Sequence, residues 1–387
     1  MGNPLSIYIH YPFCKSKCPY CDFNSHVRDS VNHEDFLRAY ENEIDYFYEK
    51  IGHRTITTIF FGGGTPSLMP NFLVEGILKK IAQKFDLSPN CEISLEANPT
   101  SFESSKFKDF RNIGINRLSL GIQALNDNDL KFLGREHSAT EAIQTIENAA
   151  KIFDNFSFDL IYARPNQNLQ EWQNELSQAI AFGTKHLSLY QLTIEKGTKF
   201  YSQFQRGEFQ IPDENLAADF YELTNQITAK NGLELYEISN YAKKDFVCRH
   251  NLVYWQGGDY LGIGAGAHSR LYFKNQQSRS AIIMLHEPNS WLNKVKENGA
   301  GIQKIEEITR EELLEELILM ALRLPQGIDN KISQQHFKKD LREIFDAKKL
   351  QKLVSQNLII FDGESLKIPS DKRLLTNMII SKVCESL

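Results

Sequence analysis

Six short β-rich runs, each followed by a turn and an amphipathic stretch of helical period, fill the first half of this 387-residue chain. The runs are 6–10, 58–62, 93–97, 117–121, 157–161 and 186–191, and most are built of β-branched, aromatic or leucine side chains, as buried parallel strands are. Between them, 33–50 puts Phe36, Leu37, Tyr40, Ile44 and Phe47 on one face, and 71–85 does the same with Leu73, Ile77, Leu78, Ile81 and Phe85. Further helices are expected over 104–113, 140–153 and 169–182. Alternation of this kind dictates parallel strands joined by right-handed crossovers. Six units are too few for a closed eight-stranded barrel and suit an open, partial (β/α)6 barrel or a doubly wound sheet. In either architecture function gathers at the carboxyl ends of the strands.

Unusual residues fall at those ends. Cys14, Cys18 and Cys21 follow the first run, and Gly62-Gly63-Gly64-Thr65-Pro66 ends the second. Glu96 and Asn98 end the third, and Gln123 lies just past the fourth. The other cysteines, Cys91, Cys248 and Cys384, are scattered. The chain is neither short nor fronted by a basic and apolar leader in Met1-Gly2-Asn3-Pro4, so the tight trio reads as a metal site in a reducing compartment rather than a disulfide framework. Three thiolates on a four-iron cube leave one iron open to a chelating ligand, which makes a [4Fe–4S] cluster the leading interpretation. A zinc site completed by His10 or His26 is the alternative, but zinc usually takes four ligands, often as two C-x2-C pairs, and no second pair exists. No run of about 18 apolar residues offers a membrane span. A net charge of −5 gives no global reason to bind nucleic acid.

From residue 201 the pattern changes. A helix over 213–231 leads to Cys248-Arg249-His250-Asn251-Leu252-Val253-Tyr254-Trp255 and a glycine-rich stretch over 257–266. The tail opens with a helix over 311–324 and ends in a hairpin, 358–361 and 366–368, around Asp362-Gly363, which resembles a winged helix. Its basic and acidic side chains are equal in number, fourteen of each over 301–387, where a DNA-binding wing would carry a basic excess. This tail is therefore read as a lid or docking module. The expected division is a barrel over 1–200, a barrel-completing region over 201–300 and a C-terminal module over 301–387.

The string Tyr8-x-His10-x-Pro12-Phe13-Cys14-x3-Cys18-x-Tyr20-Cys21, with the Gly62–Pro66 segment some forty residues on, resembles the radical S-adenosylmethionine (SAM) superfamily. The resemblance extends over nearly the whole chain. It is nearest to the branch holding oxygen-independent coproporphyrinogen III oxidase and the HemW-type heme chaperones. It implies a [4Fe–4S] cluster on Cys14, Cys18 and Cys21, with SAM contacted by Tyr8, Tyr20, Gly63, Gly64, Thr65, Glu96, Gln123, Arg135 and Asp159. The oxidase has a further cysteine two residues after the third cluster cysteine, where this chain has Phe23, and a long extension before its cluster, where this chain has thirteen residues. His250-Asn251-Leu252-Val253-Tyr254-Trp255 likewise resembles the chaperone branch. It implies heme as cargo, with His250 as the iron ligand and Cys248 as a second candidate. The resemblance further implies delivery to recipient hemoproteins, membrane-associated respiratory proteins among them. It also implies a cytoplasmic protein with peripheral membrane contact, a homodimer as the candidate assembly, and no coproporphyrinogen III oxidase activity. A radical oxidative decarboxylase of coproporphyrinogen III is the alternative from the same branch. A hydrogen-bonded structural histidine is the plain alternative for His250.

Overall fold

The computed structural model describes residues 4–387; Met1, Gly2 and Asn3, part of the segment expected to hold no leader, lie outside the described residues. The opening strand, β1 (Leu5–Tyr11), is buried along nearly its whole length. It runs into β2 (Phe13–Cys14), which pairs in parallel with β3 (His26–Val27) and so closes the cysteine loop at its base. Then come β4 (Thr55–Gly63), β5 (Asp86–Ala97), β6 (Arg117–Gln123), β7 (Phe156–Tyr162) and β8 (His186–Gln191), each paired in parallel with the one before it in the sheet. All six expected runs are strands.

Several of the intervening helices start where short polar side chains take up free backbone N–H groups. Asn32 caps His33–Ile51, and Ser138 with Glu141, and Asn168 with Glu171, form capping boxes on Ala139–Ile152 and Leu169–Ala181. One expected helix differs. Instead of a single element over 104–113 there are two, Ser101–Ser104 and Phe107–Ile113. The Lys106 amine at the break donates to the carbonyls of Ser67 and Met69, which ties this corner to the turn after β4.

The sheet continues beyond the six units. On one side lie the short β10 (Asn240–Ala242), antiparallel to β8, and β9 (Glu234–Leu235), antiparallel to β10. On the other, β11 (Asp259–Ile263) pairs in parallel with β1. It is followed by an antiparallel run of β12 (His268–Leu271), β13 (Arg279–Met284) and β14 (Ile302–Ile308). The result is one 12-stranded mixed sheet, in the order β14-β13-β12-β11-β1-β4-β5-β6-β7-β8-β10-β9, that does not close on itself. The glycine-rich stretch therefore contains a buried strand. Glycine suits it: a Cβ on Gly262 would collide with the His268 carbonyl.

Among the described residues the two largest hydrophobic cores are separate. The larger runs from Leu5 to Ala300 under the sheet. The smaller, from Leu313 to Val383, belongs to the C-terminal module. There, Arg310–Ala321 and the later helices pack with a small sheet of β15 (Ile328–Asp329), β16 (Ile360–Phe361) and β17 (Ser365–Lys367). The last two strands are the hairpin expected around Asp362-Gly363. No helix among the described residues is long and apolar enough to cross a membrane.

Candidate functional site

The carboxyl ends of the strands build a small cavity of about 150 Å³. Cys14, Cys18 and Cys21 line it together with Tyr20, Gly63, Gly64, Thr65, Glu96, Gln123, Arg135 and Asp159. Every residue expected to hold the cluster or SAM except Tyr8 thus lines one cavity, and Tyr8 stands beside it, its ring within 2.8 Å of where a Cβ on Gly62 would lie.

The chain reaches this geometry by zipping two loops together. Gly64 N–H donates to the Tyr11 carbonyl at 2.8 Å, and Thr65 N–H to the Phe13 carbonyl at 2.8 Å. That approach leaves no room for side chains. A Cβ on Gly64 would collide with the Phe13 carbonyl oxygen, and Gly63 holds a φ of +117°. Only glycine combines such a φ with this clearance. The outer end of the cysteine loop is pinned separately, by Phe200 N–H donating to the Pro19 carbonyl at 2.8 Å.

The thiols feel one another. Burial raises the Cys14 and Cys21 pKa values, and the neighbouring cysteines add to that rise, while Lys17 and hydrogen bonds lower them. Arg135 donates to Cys18 Sγ at 3.4 Å, to Asn98 Oδ1 at 2.5 Å and to the Gly121 carbonyl at 2.8 Å. Asn98 in turn donates to Thr65 Oγ1 at 3.1 Å. A guanidinium against a sulfur is what a thiolate needs from its surroundings.

Two half-buried carboxyls, Glu96 and Asp159, line the same cavity as the thiols. Burial first, and then Asp159, push Glu96 up to about 8, although Glu96 accepts from Gly63 N–H at 3.2 Å. Burial likewise raises Asp159 to about 6, offset by Ser188 and by Arg117 and Arg135. Acids held this high will ionise readily when a cation arrives.

The donor set fits an iron–sulfur cluster and SAM. Three thiols face one cavity, a glycine cradle would be filled by any Cβ, and the buried Arg135 Nε has no partner. Among the described residues no three His, Cys, Asp or Glu side chains converge on a point suited to a single ion. Cys14, Cys18 and Cys21 would hold the cluster. When bound, it would supply an electron to the sulfonium of SAM.

A second, much larger cavity of about 900 Å³ lies beside the first. Tyr8, His10, Phe23, Gly63 and Glu96 line it on the barrel side, and Glu316, Leu317, Met320 and Arg323 on the side of the C-terminal module. Tyr190, Tyr254, Trp255 and Tyr260 give it aromatic walls. Phe23, Gly63 and Glu96 line both cavities, so the two share a wall. The sequence marks Tyr254 and Trp255 only as part of the run that begins at His250, and that they share a cavity with Tyr190, Tyr260 and Arg323 is not visible there, because those residues come from distant parts of the chain.

His250 lies behind that wall. Its side chain is 1% exposed, and both ring nitrogens are engaged, one with Thr58 Oγ1 and the other with the Tyr254 hydroxyl, each at 2.7 Å. Burial lowers its pKa to about 3, with Arg117 adding to the effect, and Phe60 stacks on it with ring centroids 5.1 Å apart. In this arrangement neither nitrogen is free for an iron. Cys248 is also buried, its thiol pushed up to about 12 chiefly by that burial.

Comparison with known proteins agrees with this layout. Residues 8–179 match the Radical SAM superfamily, and residues 308–374 match the HemN C-terminal domain. The chain is 35% identical to heme chaperone HemW of Haemophilus influenzae, over 97% of both chains. It is 41% identical to heme chaperone HemW of Escherichia coli over 70% of this chain and 71% of that one. It is also 33% identical to radical S-adenosyl methionine domain-containing protein 1, mitochondrial, of Danio rerio, over 98% of this chain and 86% of the relative. The solved coproporphyrinogen III oxidase (HemN) of Escherichia coli shares the fold, with a TM-score of 0.82 at 22% identity, covering 100% of this chain and 91% of that one. With the cysteine loop, glycine cradle and C-terminal module all in the matched segments, the chain belongs to the radical SAM superfamily, in the family of the HemW heme chaperones.

Proposed function

We propose that this protein is a heme chaperone. It takes heme into the large cavity and passes it to recipient hemoproteins, with a [4Fe–4S] cluster on Cys14, Cys18 and Cys21 and SAM alongside. The observation that carries this reading is the cavity itself: about 900 Å³, walled by aromatic rings, and lined on both sides by separate structural units. That volume lies at the upper end of small-molecule sites, as a porphyrin requires. A cavity bounded by a separately cored module can open by moving that module, which suits release to another protein. The resemblance to HemW proteins supports the same reading. In it, Tyr8, Tyr20, Gly63, Gly64, Thr65, Glu96, Gln123, Arg135 and Asp159 serve SAM. The working place is the cytoplasm, with recipients met at the membrane surface, and a homodimer is the proposed assembly.

The test is hemin titration of anaerobically reconstituted protein, followed by transfer to an apo-cytochrome. Stoichiometric binding and transfer that speeds recipient loading are expected; absence of hemin binding at micromolar concentrations would sink the proposal. A second reading rests on the shared wall. With Glu96 and Gly63 bounding both cavities, a radical formed in the small one would meet a molecule in the large one, as oxidative decarboxylation of coproporphyrinogen III requires. Phe23, 61% exposed, stands where the oxidase resemblance calls for cysteine. No turnover of coproporphyrinogen III with SAM and reductant is expected.

A further inference from the structure

We propose that His268 and His286, at the rim of the large cavity, hold the heme iron. The inference rests on the reading of that cavity as a heme site and adds the atoms that grip the metal.

His10, His268 and His286 line the cavity, and His250 lies just behind it. An axial ligand must offer a free imidazole lone pair. His10 offers none, since one nitrogen faces the Tyr8 hydroxyl at 3.0 Å and the other the Asn24 carbonyl at 2.9 Å. His250 offers none either, being held by Thr58 and Tyr254. His268 and His286 are exposed, and no hydrogen bond to their ring nitrogens exists among the described residues.

The two rings also stand at a telling distance. His268 is on β12 and His286 two residues past the end of β13, the strand paired with it, with His268 opposite Ile283. Their ring centroids are 6.3 Å apart, with planes at 73°. Two imidazoles on opposite sides of one metal, with bonds of about 2.0–2.1 Å and each centroid about 1.2 Å behind its nitrogen, have centroids about 6.4 Å apart. The observed centroid separation is of that size.

The backbone under the pair is fixed. Asn24 donates to the carbonyls of His286 and Ala265, each at 3.0 Å, and Met284 N–H donates to the Ala267 carbonyl at 2.9 Å. Asn24 lies three residues past Cys21, so the pair is tied to the loop that carries the thiols. The same cavity supplies a partner for a propionate. Arg323 lines it, and its guanidinium donates only to neutral acceptors, the Leu319 carbonyl and Asn377 Oδ1, among the described residues. An arginine without a carboxylate is suited to a ligand that brings one.

The test is hemin titration of the full chain, comparing wild type with H268Q/H286Q and H250Q. The readouts are the Soret and visible bands, the ferric EPR spectrum and Kd, with the cluster absorbance checking that the protein is folded. The expected result is a low-spin, nitrogen-ligated ferric spectrum in wild type and H250Q. In H268Q/H286Q it is replaced by a high-spin spectrum, with Kd weakened at least about tenfold. A double variant that keeps the wild-type spectrum overturns the inference, whether or not its affinity falls, and so does loss of the spectrum in H250Q alone. Failure of wild type to bind hemin at all would instead refute the heme reading of the cavity, a result distinct from either.

Discussion

Glu96 and Asp159 face the same small cavity, and their acidity is a direct consequence of where the strands place them. Glu96 lies at the end of β5 and Asp159 midway along β7, both shielded from bulk water, so each charge is costly, and Asp159 raises the cost for Glu96 further. Raised values mean that the protonated folded form is favoured: this contribution to stability is complete below the ordinary carboxyl range and disappears as pH rises through about 8 for Glu96. We therefore expect E96Q to gain in melting temperature relative to wild type as pH goes from 5 to 8.5; a pH-independent difference would contradict it. SAM is cationic, so its arrival favours the ionised acids and releases up to about one proton per chain at pH 7, an amount that E96Q should largely abolish. Calorimetry in buffers of different ionisation enthalpy measures it. Replacing Cys14, Cys18 or Cys21 by alanine should remove most of the reconstituted iron–sulfur absorbance, with the helical circular dichroism retained. These residues are legible in the sequence because their chemistry is rare: three thiols on one turn and three glycines at a strand end seldom coincide in a chain that binds nothing there. Asn98, which bridges Thr65 and Arg135, shows in the sequence only its position at a strand end, and His268 and His286 do not stand out at all. A lone histidine or amide carries no signal until the fold supplies its neighbours.

At the scale of elements, Glu43 shows how the late strands are tied to the early helices. Its carboxyl, in the helix His33–Ile51, accepts from Gly264 N–H at 2.8 Å, from Gly301 N–H at 2.8 Å and from Trp291 Nε1 at 3.0 Å. Burial pushes it up to about 7 despite those donors. Alanine there leaves three buried donors unpaired, each costing about 1–3 kcal/mol, so E43A should lower the unfolding free energy measured in urea by about 3 kcal/mol or more. A loss under about 1 kcal/mol would mean that water replaces the carboxylate. The parallel strands are readable because burial on both faces demands continuous apolar runs. The antiparallel extension is not. Residues 257–266 look like a loop by glycine content, and β14, with Lys304, Glu306 and Glu307, has the polarity of an edge. Pairing with β1 and β13 decides both, and pairing partners are not visible in a single stretch of sequence.

Across the whole molecule, particular contacts join the C-terminal module to the larger core. Arg270 on β12 pairs with Glu316 on Arg310–Ala321 at 3.1 Å, and Gly257, at a φ of +68°, lies under Leu317. A Cβ on Gly257 would collide with a Leu317 methyl, so G257A should cost about 1–2 kcal/mol through its left-handed backbone alone and displace the module as well. We expect weakened hemin binding in G257A with the iron–sulfur spectrum intact; unchanged hemin affinity would show that the module is not part of the binding wall.

Glu96 lines both cavities, in the wall that they share. Whatever fills either chamber therefore shifts the ionisation of the same carboxyl. A sulfonium on one side draws the proton off, and an anionic propionate brought close on the other drives it back on. Guests on the two sides must then alter each other's affinity, by the same factor in each direction. A partition of this kind makes the order of loading and unloading a matter of proton traffic, without any strand having to move.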